Sequence, residues 1–259
     1  MFHWLMKQLE RKQKDVLVLY EGIGELDMAI AVCSFRRNLP CFCAPEICAG
    51  KRMAMEQMYH PLLSHPVGND WYIEKNCILT GSNASGKSTC IKALAVNAIL
   101  ARGIHTCAAE RFSLPPMYVI TSMTLRDDIA AGESYYIREV RYLKRLVDRG
   151  SHPGCTLCII DEILKGTNTK ERLAASEAVL SFLENTSCLV IAATHDRELA
   201  TVMADRYENY HFRNDMEGGE IHFDYRLHPG ISDSSNAVAL LEIMGFPKEI
   251  VAEAGRLCG

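Results

Sequence analysis

The stretch Gly81-Ser82-Asn83-Ala84-Ser85-Gly86-Lys87-Ser88-Thr89 decides the fold of this protein. It matches the pattern GxxxxGK[ST], follows the apolar run 77–80 and precedes a helix-compatible segment, which is the context that the pattern requires. Its glycines let the backbone curl so that successive N–H groups point inward, and the start of a helix adds partial positive charge. The stretch predicts a loop that binds nucleotide phosphates, and all nine residues are candidate contacts.

Two side chains of this loop carry the expected chemistry. Lys87 supplies a mobile positive charge for the β- and γ-phosphates, and the Ser88 hydroxyl is a ligand for Mg²⁺. We therefore predict ATP and Mg²⁺ as the bound species. The alternative is a chance Gly-rich turn before a helix, which the flanking strand and helix disfavour.

A second motif ends the apolar run Leu157-Cys158-Ile159-Ile160 with Asp161 and Glu162. The carboxyl end of a buried strand is where α/β sheets hold their ligands. Asp161 is the candidate to position Mg²⁺, and Glu162 is the candidate general base that polarises the attacking water. A solvated turn is the alternative for such an acidic pair. Together with the phosphate loop, the pair indicates hydrolysis rather than transfer to another acceptor.

A third motif is Thr194-His195, which follows the apolar run 188–193. A histidine at the end of a core strand beside the loop strand can reach a γ-phosphate. We therefore take His195 as a candidate catalytic residue. A purely structural histidine that makes hydrogen bonds is the alternative.

Strands and helices alternate around these motifs, which predicts an α/β fold of the P-loop NTPase class, ABC-type, with a mostly parallel sheet flanked by helices. Asn168 and Glu171 have capping-box spacing. The predicted strands are 77–80, 117–120, 156–160 and 188–193, and the predicted helices are 88–102, 134–149 and 169–183.

The two ends of the chain differ from this central pattern. Residues 15–38 are mostly helix-compatible and 41–51 resemble an irregular linker, so 1–57 is predicted as the end of a longer helical region. Near the other end, the runs 207–213 and 220–227 predict a hairpin, and 236–257 predict a helix–turn–helix. The predicted domains are 1–57, an ATPase domain 58–230, and a C-terminal helical dimerisation segment 231–259.

Composition narrows the classes of protein that remain. The 259 residues carry a formal net charge of −4, so a module that grips DNA by itself is disfavoured. Eleven cysteines in a chain without a secretory signal predict buried reduced thiols in a cytoplasmic protein. The Cys155/Cys158 pair lacks a second Cys/His pair nearby, which disfavours zinc. No apolar run is long enough to span a membrane.

Taken together, these motifs resemble the MutS family. The resemblance rests on the loop GSNASGKST, on DEILKGTNT from Asp161 to Thr169, on DDIAAGES from Asp127 to Ser134, on His60-Pro61, and on the C-terminal helix pair. It covers about Glu25 to the end of the chain. Ala84-Ser85 and Leu164-Lys165 depart from the best-known members, and these variations resemble a shorter branch without the mismatch-reading domain.

The resemblance implies further roles and partners. It assigns Ser134 to the γ-phosphate of a partner subunit, so we expect a homodimer formed through the ATPase face and the C-terminal helices. It also implies an ATP-driven switch in DNA mismatch repair, with DNA bound mostly by parts outside this chain. A basic helix face with Arg138, Arg141, Arg145, Arg149 and Lys144 could contact nucleic acid or phosphates, or could simply be solvated.

Two alternative functions stay open. One is an ABC-type transporter subunit, which shares the order of the motifs. Such proteins carry an LSGGQ-like signature before the Asp-Glu motif, and 149–154 reads Arg-Gly-Ser-His-Pro-Gly instead. The other is a dimerisation fragment that is inactive in isolation.

Overall fold

The computed structural model of the protein describes residues 1–82, 85–123, 135–164, 167–217, 220–232 and 237–258. It contains two compact units, residues 1–42 and residues 43–259. The smaller unit consists of helices α1 (Phe2–Arg11) and α2 (Gln13–Arg37). Helix α2 is described over its whole length and has no buried residue; Leu26 and Ile30 are exposed. The predicted N-terminal helix is therefore present.

The larger unit alternates strands and helices along most of its length. Its described strands are β1 (Glu46–Ile47), β2 (Met53–Met58), β3 (Asn69–Ile73), β4 (Cys77–Thr80), β5 (Arg111–Leu114), β6 (Tyr118–Ser122), β7 (Thr156–Asp161), β8 (Cys188–Ala193), β9 (Glu208–Glu217) and β10 (Glu220–Pro229). Its described helices are α3 (Lys87–Gly103), α4 (Tyr135–Gly150), α5 (Thr169–Glu184), α6 (Arg197–Val202), α7 (Ala237–Ile243) and α8 (Lys248–Cys258). None of the described helices combines the length and apolar character that crossing a membrane requires.

A six-stranded sheet has the order β10-β9-β4-β8-β7-β6. All neighbouring strands in it are parallel except the hairpin pair β9 and β10. Every residue of β4, β7 and β8 is buried, as expected for parallel strands that are covered on both faces. The prediction of an α/β fold with a mostly parallel sheet is confirmed.

Alternate residues of this sheet contribute to two different cores. Leu79, Ile159 and Ile191 pack with α3 and with buried residues of β2, β3 and β5. Ile160 and Val190 face the opposite way and pack with α4, α5 and α6. The period of two along each strand therefore places a layer on either side of the sheet.

A second, four-stranded sheet has the order β1-β5-β2-β3, and the sequence did not predict it. Residues 41–51 were expected to be an irregular linker, but β1 lies within them and pairs with β5. Strand β2 pairs with both β3 and β5 and buries Met53 and Met55. The division into compact units falls after Phe42, and the domain boundary expected after residue 57 stays a prediction. The boundary expected at 230/231 stays a prediction.

The described cysteines are free thiols, and several lie in the core. Burial raises the pKa of Cys77 and Cys107, and it raises the pKa of Cys90 to about 12. These thiols are thus held in the unreactive protonated form. Within the described ranges, no group of three or more His, Cys, Asp or Glu side chains is arranged to hold a metal ion.

Candidate functional site

The predicted phosphate loop, residues 81–86, connects β4 to α3 and requires glycine at both of its ends. Gly81 has a φ of 143° and Gly86 a φ of 108°, which are values that side chains with a Cβ rarely adopt. A Cβ on Gly86 would also lie 3.2 Å from the ring of Tyr225. Asn83 and Ala84, two of the predicted contacts, lie outside the described residues. Both glycines at the ends of the loop are thus in backbone conformations that favour glycine.

The Lys87 side chain lies inside this loop and is almost fully buried. Its Nζ donates hydrogen bonds to the carbonyl oxygens of Gly81 at 2.5 Å and Ser82 at 2.7 Å. The hydroxyls of Ser82 and Ser85 are buried as well and have no hydrogen-bond partner in the described structure. Buried polar atoms are normally satisfied, so these two oxygens indicate a place for a polar ligand.

Ser88 and Asp161 meet at the mouth of the loop. The Ser88 hydroxyl donates a hydrogen bond of 3.1 Å to Asp161 Oδ1, although 73 positions separate the two residues. Asp161 is the last residue of β7 and is 6% exposed. Strand β7 ends level with β8, where Asp161 is in register with Ala193. The parallel register therefore carries this carboxylate to the edge where the loop begins.

Glu162 lies immediately beyond Asp161 in a left-handed conformation, with a φ of 59°. Its backbone N–H donates to the Ala193 carbonyl at 2.8 Å, which fixes the main chain beside the end of β8. Left-handed backbone is uncommon outside glycine and concentrates at functional sites. The side chain is 11% exposed, and its Oε2 lies 3.4 Å from His195 Nδ1.

His195 completes this group at the end of β8. The preceding residue, Thr194, donates its N–H to the Leu79 carbonyl on the loop strand at 2.9 Å. The imidazole is 46% exposed, and its Nε2 lies 3.6 Å from Asp196 Oδ1. The structure therefore brings His195 and Glu162 together, at the same sheet edge as Asp161.

Two other predicted elements have different outcomes. Ser134 and the rest of 127–134 lie outside the described residues, so the role of Ser134 stays a prediction. On α4, Arg138, Arg141 and Arg145 line one shallow cavity with Tyr142, but the Arg149 guanidinium packs 4.1 Å from the Tyr118 ring centroid instead. The expected basic face is thus smaller than its spacing suggested.

The structure adds a cavity of about 280 Å³ beside the loop, which the motifs did not indicate. Its walls are mostly apolar and include Met58, Val67, Phe212 and Tyr225, with Gly86 at the loop side. A mostly apolar concavity with a few polar groups is typical of small-molecule sites. Burial and the positive charge of Lys92 lower the pKa of His60, which lines the same cavity.

Asn69 ties this cavity to the hairpin. Its Nδ2 donates to the Tyr225 carbonyl at 3.0 Å, and its Oδ1 accepts from the Leu227 N–H at 2.7 Å. The register of β9 and β10 shifts between Phe223 and Leu227, and Tyr225 has a φ of 53°. Asn69 therefore bonds the irregular segment that places the Tyr225 ring against Gly86. No spacing in the sequence marks this asparagine.

Comparison with known proteins places this arrangement in a family. The model of MutS domain V matches residues 77–258. The DNA mismatch repair protein MutS of Natronomonas pharaonis is 29% identical over 92% of this chain and 29% of its own length. The Thermus thermophilus MutS is 29% identical over 96% of this chain and 31% of its length. The DNA mismatch repair protein MutS 2 of Haloarcula marismortui is 32% identical over 67% and 19%.

The chain spans about a third or less of the length of these relatives. The family match covers the phosphate loop, the Asp-Glu pair, His195 and the C-terminal helices, which is most of the larger unit. The chain therefore belongs to the MutS family, and its residues 77–258 correspond to MutS domain V.

Proposed function

We propose that this chain binds ATP with Mg²⁺ and hydrolyses the ATP to ADP and phosphate. The observation that carries the proposal is the 3.1 Å contact between Ser88 and Asp161 at the mouth of a glycine-hinged loop. A hydroxyl that follows the loop lysine and a carboxylate at a strand end are the two protein ligands that nucleotide-bound magnesium uses in P-loop sites.

The residues present fit both the nucleotide and the metal. The buried hydroxyls of Ser82 and Ser85 lack partners, and Lys87 Nζ already lies among loop oxygens, where the same positive charge can contact phosphate. Ser88 and Asp161 would hold Mg²⁺, which when bound neutralises charge on the terminal phosphates. Helix α3 starts at Lys87 and directs the positive end of its dipole to the same place.

Glu162 is the residue that we propose as general base. Its carboxylate is largely buried beside His195, one residue beyond Asp161, where it can accept a proton from an attacking water. We propose that His195, whose Nδ1 lies 3.4 Å from Glu162 Oε2, orients this carboxylate toward the water; contact of the imidazole with the terminal phosphate stays a prediction. The phosphate loop supplies the electrostatic stabilisation that the transfer requires.

The cavity beside the loop is the proposed site for the nucleoside. It lies next to Gly86 and Thr89, so a nucleotide whose phosphates fill the loop extends into it. The Tyr225 ring and the side chains of Met58 and Val67 offer surfaces on which a planar base can pack.

We further propose that nucleotide turnover serves a DNA-repair protein. The relatives named above are DNA mismatch repair proteins, and this chain matches only a part of each. Binding of DNA is therefore assigned to parts outside this chain. A homodimer in which Ser134 completes the partner's site, held by α7 and α8, would couple hydrolysis to movement of the attached helices.

The test is steady-state ATP turnover with Mg²⁺ at high protein concentration. We expect Glu162→Gln to lower kcat at least about 100-fold while ATP still binds. The matched control is Glu74→Gln, which changes an exposed glutamate and should leave turnover unchanged. Equal turnover of Glu162→Gln and the wild type would overturn the role of Glu162, and absence of ATP binding by the wild type would overturn the proposal.

The dimer is tested separately by light scattering with and without a non-hydrolysable ATP analogue. We expect the analogue to favour the dimer and Ser134→Ala to weaken that response. A chain that stays monomeric at every concentration with nucleotide bound would contradict the role of Ser134.

A further inference from the structure

We propose that Arg172 and Asp196 are positioning residues, which hold His195 against Glu162 and so set the turnover rate; the inference rests on the ATPase function proposed above. Neither residue belongs to the motifs that indicated the site. Both are distinguished by what their side chains contact.

The two residues form a bidentate pair. Arg172 Nε donates to Asp196 Oδ2, and Arg172 Nη2 donates to Asp196 Oδ1, both at 2.9 Å. The side chains are only 14% and 17% exposed. A forked, partly buried Arg–carboxylate pair fixes the orientation of both groups far better than an exposed ion pair does.

The pair joins the two segments that carry the catalytic candidates. Arg172 lies in the first turn of α5, shortly after the Asp-Glu motif, and this turn is capped by Asn168, whose side chain accepts from the Glu171 N–H at 3.0 Å. Asp196 directly follows His195, and its own N–H donates to Thr194 Oγ1 at 3.0 Å. The bond between them therefore links the chain after β7 to the chain after β8.

His195 lies between two carboxylates as a result. Asp196 Oδ1 contacts Arg172 Nη2 on one side and lies 3.6 Å from His195 Nε2 on the other, while Glu162 Oε2 lies 3.4 Å from Nδ1. The imidazole itself is 46% exposed, so packing alone does not fix its ring. The Asp196 carboxylate, oriented by Arg172, supplies the restraint at Nε2.

The experiment is a double-mutant cycle on ATP turnover. Arg172→Met and Asp196→Asn should each lower kcat about 10- to 100-fold with little change in KM, because ring placement is lost and the phosphate loop is intact. In a His195→Ala background, Arg172→Met should lower kcat almost no further, since Arg172 acts through His195. If Arg172 had a purely structural role, Arg172→Met would lower kcat by the same factor in both backgrounds.

The matched control is Arg206→Met, which removes a guanidinium that contacts Ser181 and Glu184 at the other end of α5. Turnover of this variant should equal that of the wild type. If Arg172→Met fails to fold, Asp196→Asn carries the test, because it keeps the side-chain shape. An additive cycle, with the wild type active, would overturn this inference alone. A wild type without ATP turnover would overturn the proposed function as well.

Discussion

The two sheets of the larger unit differ in how completely their strands are buried. In the six-stranded sheet, β4, β7 and β8 bury every residue and end at one edge, where Asp161, Glu162 and His195 follow. In the four-stranded sheet, β3 alternates buried and exposed residues, and β2 is only half buried. The first sheet carries the charged groups of the candidate site, and the second supplies the wall of the neighbouring cavity through Met58 and Asn69.

The four-stranded sheet contributes no motif to the candidate site, yet its side chains contact the hairpin that lines the neighbouring cavity. Trp71 of β3 packs edge-to-face against Tyr210 of β9, with ring centroids 5.6 Å apart. Asn69 of β3 bonds the backbone of β10. The four-stranded sheet is therefore bonded to the β9–β10 hairpin, whose Tyr225 ring lies against Gly86 of the loop. If the four-stranded sheet were peripheral, substitutions in it would change the free energy of unfolding only slightly.

The largest effect on stability is expected for Trp71→Ala. This side chain is 1% exposed and joins the two sheets, so its loss should reduce the free energy of unfolding by about 3–5 kcal/mol. Urea unfolding followed by circular dichroism measures the change. A loss below about 1 kcal/mol would show that the four-stranded sheet is peripheral.

A somewhat smaller effect is expected for Ile159→Ala in β7. Ile159 is fully buried in the six-stranded sheet, and removal of three carbons leaves a cavity that costs about 2–4 kcal/mol. Ile99→Ala is the control, because Ile99 is 55% exposed on α3. If Ile159→Ala lowers the free energy of unfolding much more than Trp71→Ala does, the two sheets do not contribute equally to stability.

An intermediate effect is expected for Asn69→Ala. The substitution leaves the Tyr225 carbonyl and the Leu227 N–H without this partner, which should cost about 1–3 kcal/mol. Under the proposed function, nucleotide affinity should also fall, because Tyr225 borders the cavity. Isothermal calorimetry measures that affinity. Asn185→Ala removes an exposed helix-end asparagine and should change neither property.

A pH-dependent effect is expected from His60, which follows β2. Burial and Lys92 lower the pKa of His60 from its ordinary 6.5, so the unfolded chain binds a proton more readily than the folded chain. The contribution of His60 to stability is therefore complete above pH 6.5 and declines as the pH falls below it. Urea midpoints across this range should fall less for His60→Asn than for the wild type. An unchanged pH dependence in the variant would contradict the assignment.

The smallest effect is expected for Tyr72→Thr in β3. Tyr72 is 60% exposed, and both residues favour strands, so the change should stay within about 0.5 kcal/mol. A large loss would show that this exposed face is covered in solution. Analytical ultracentrifugation of both proteins would then identify self-association.

The sequence predicted the six-stranded sheet because its strands carry a strong signal. Continuous apolar runs gave strand 188–193 with the bounds that the structure has, and the spacing of Asn168 and Glu171 located the start of α5. The loop glycines and the Asp-Glu pair then put Ser88 and Asp161 at one edge, where the structure has them in contact. Their roles toward nucleotide stay predictions.

The four-stranded sheet escaped prediction for physical reasons. Strand β2 reads Met-Ala-Met-Glu-Gln-Met, which contains no β-branched residue and consists of good helix formers. Its strand state is imposed by pairing with β3, the next strand along the chain, and with β5, which is distant in sequence. Two side-chain contacts were not predicted for the same reason. The bond of Asn69 to the β10 backbone and the bond of Arg172 to Asp196 join residues that only the fold brings together.

The backbone bonds at the strand ends have a consequence for inheritance. The N–H of Glu162 and the N–H of Thr194 are held by the main-chain carbonyls of Ala193 and Leu79, and any replacement other than proline keeps both donors. A chain that lacks the Glu162 carboxylate should therefore stay folded and escape degradation. In the proposed homodimer, such a chain would pair with an intact copy and lower its turnover, so the allele would behave as dominant rather than recessive.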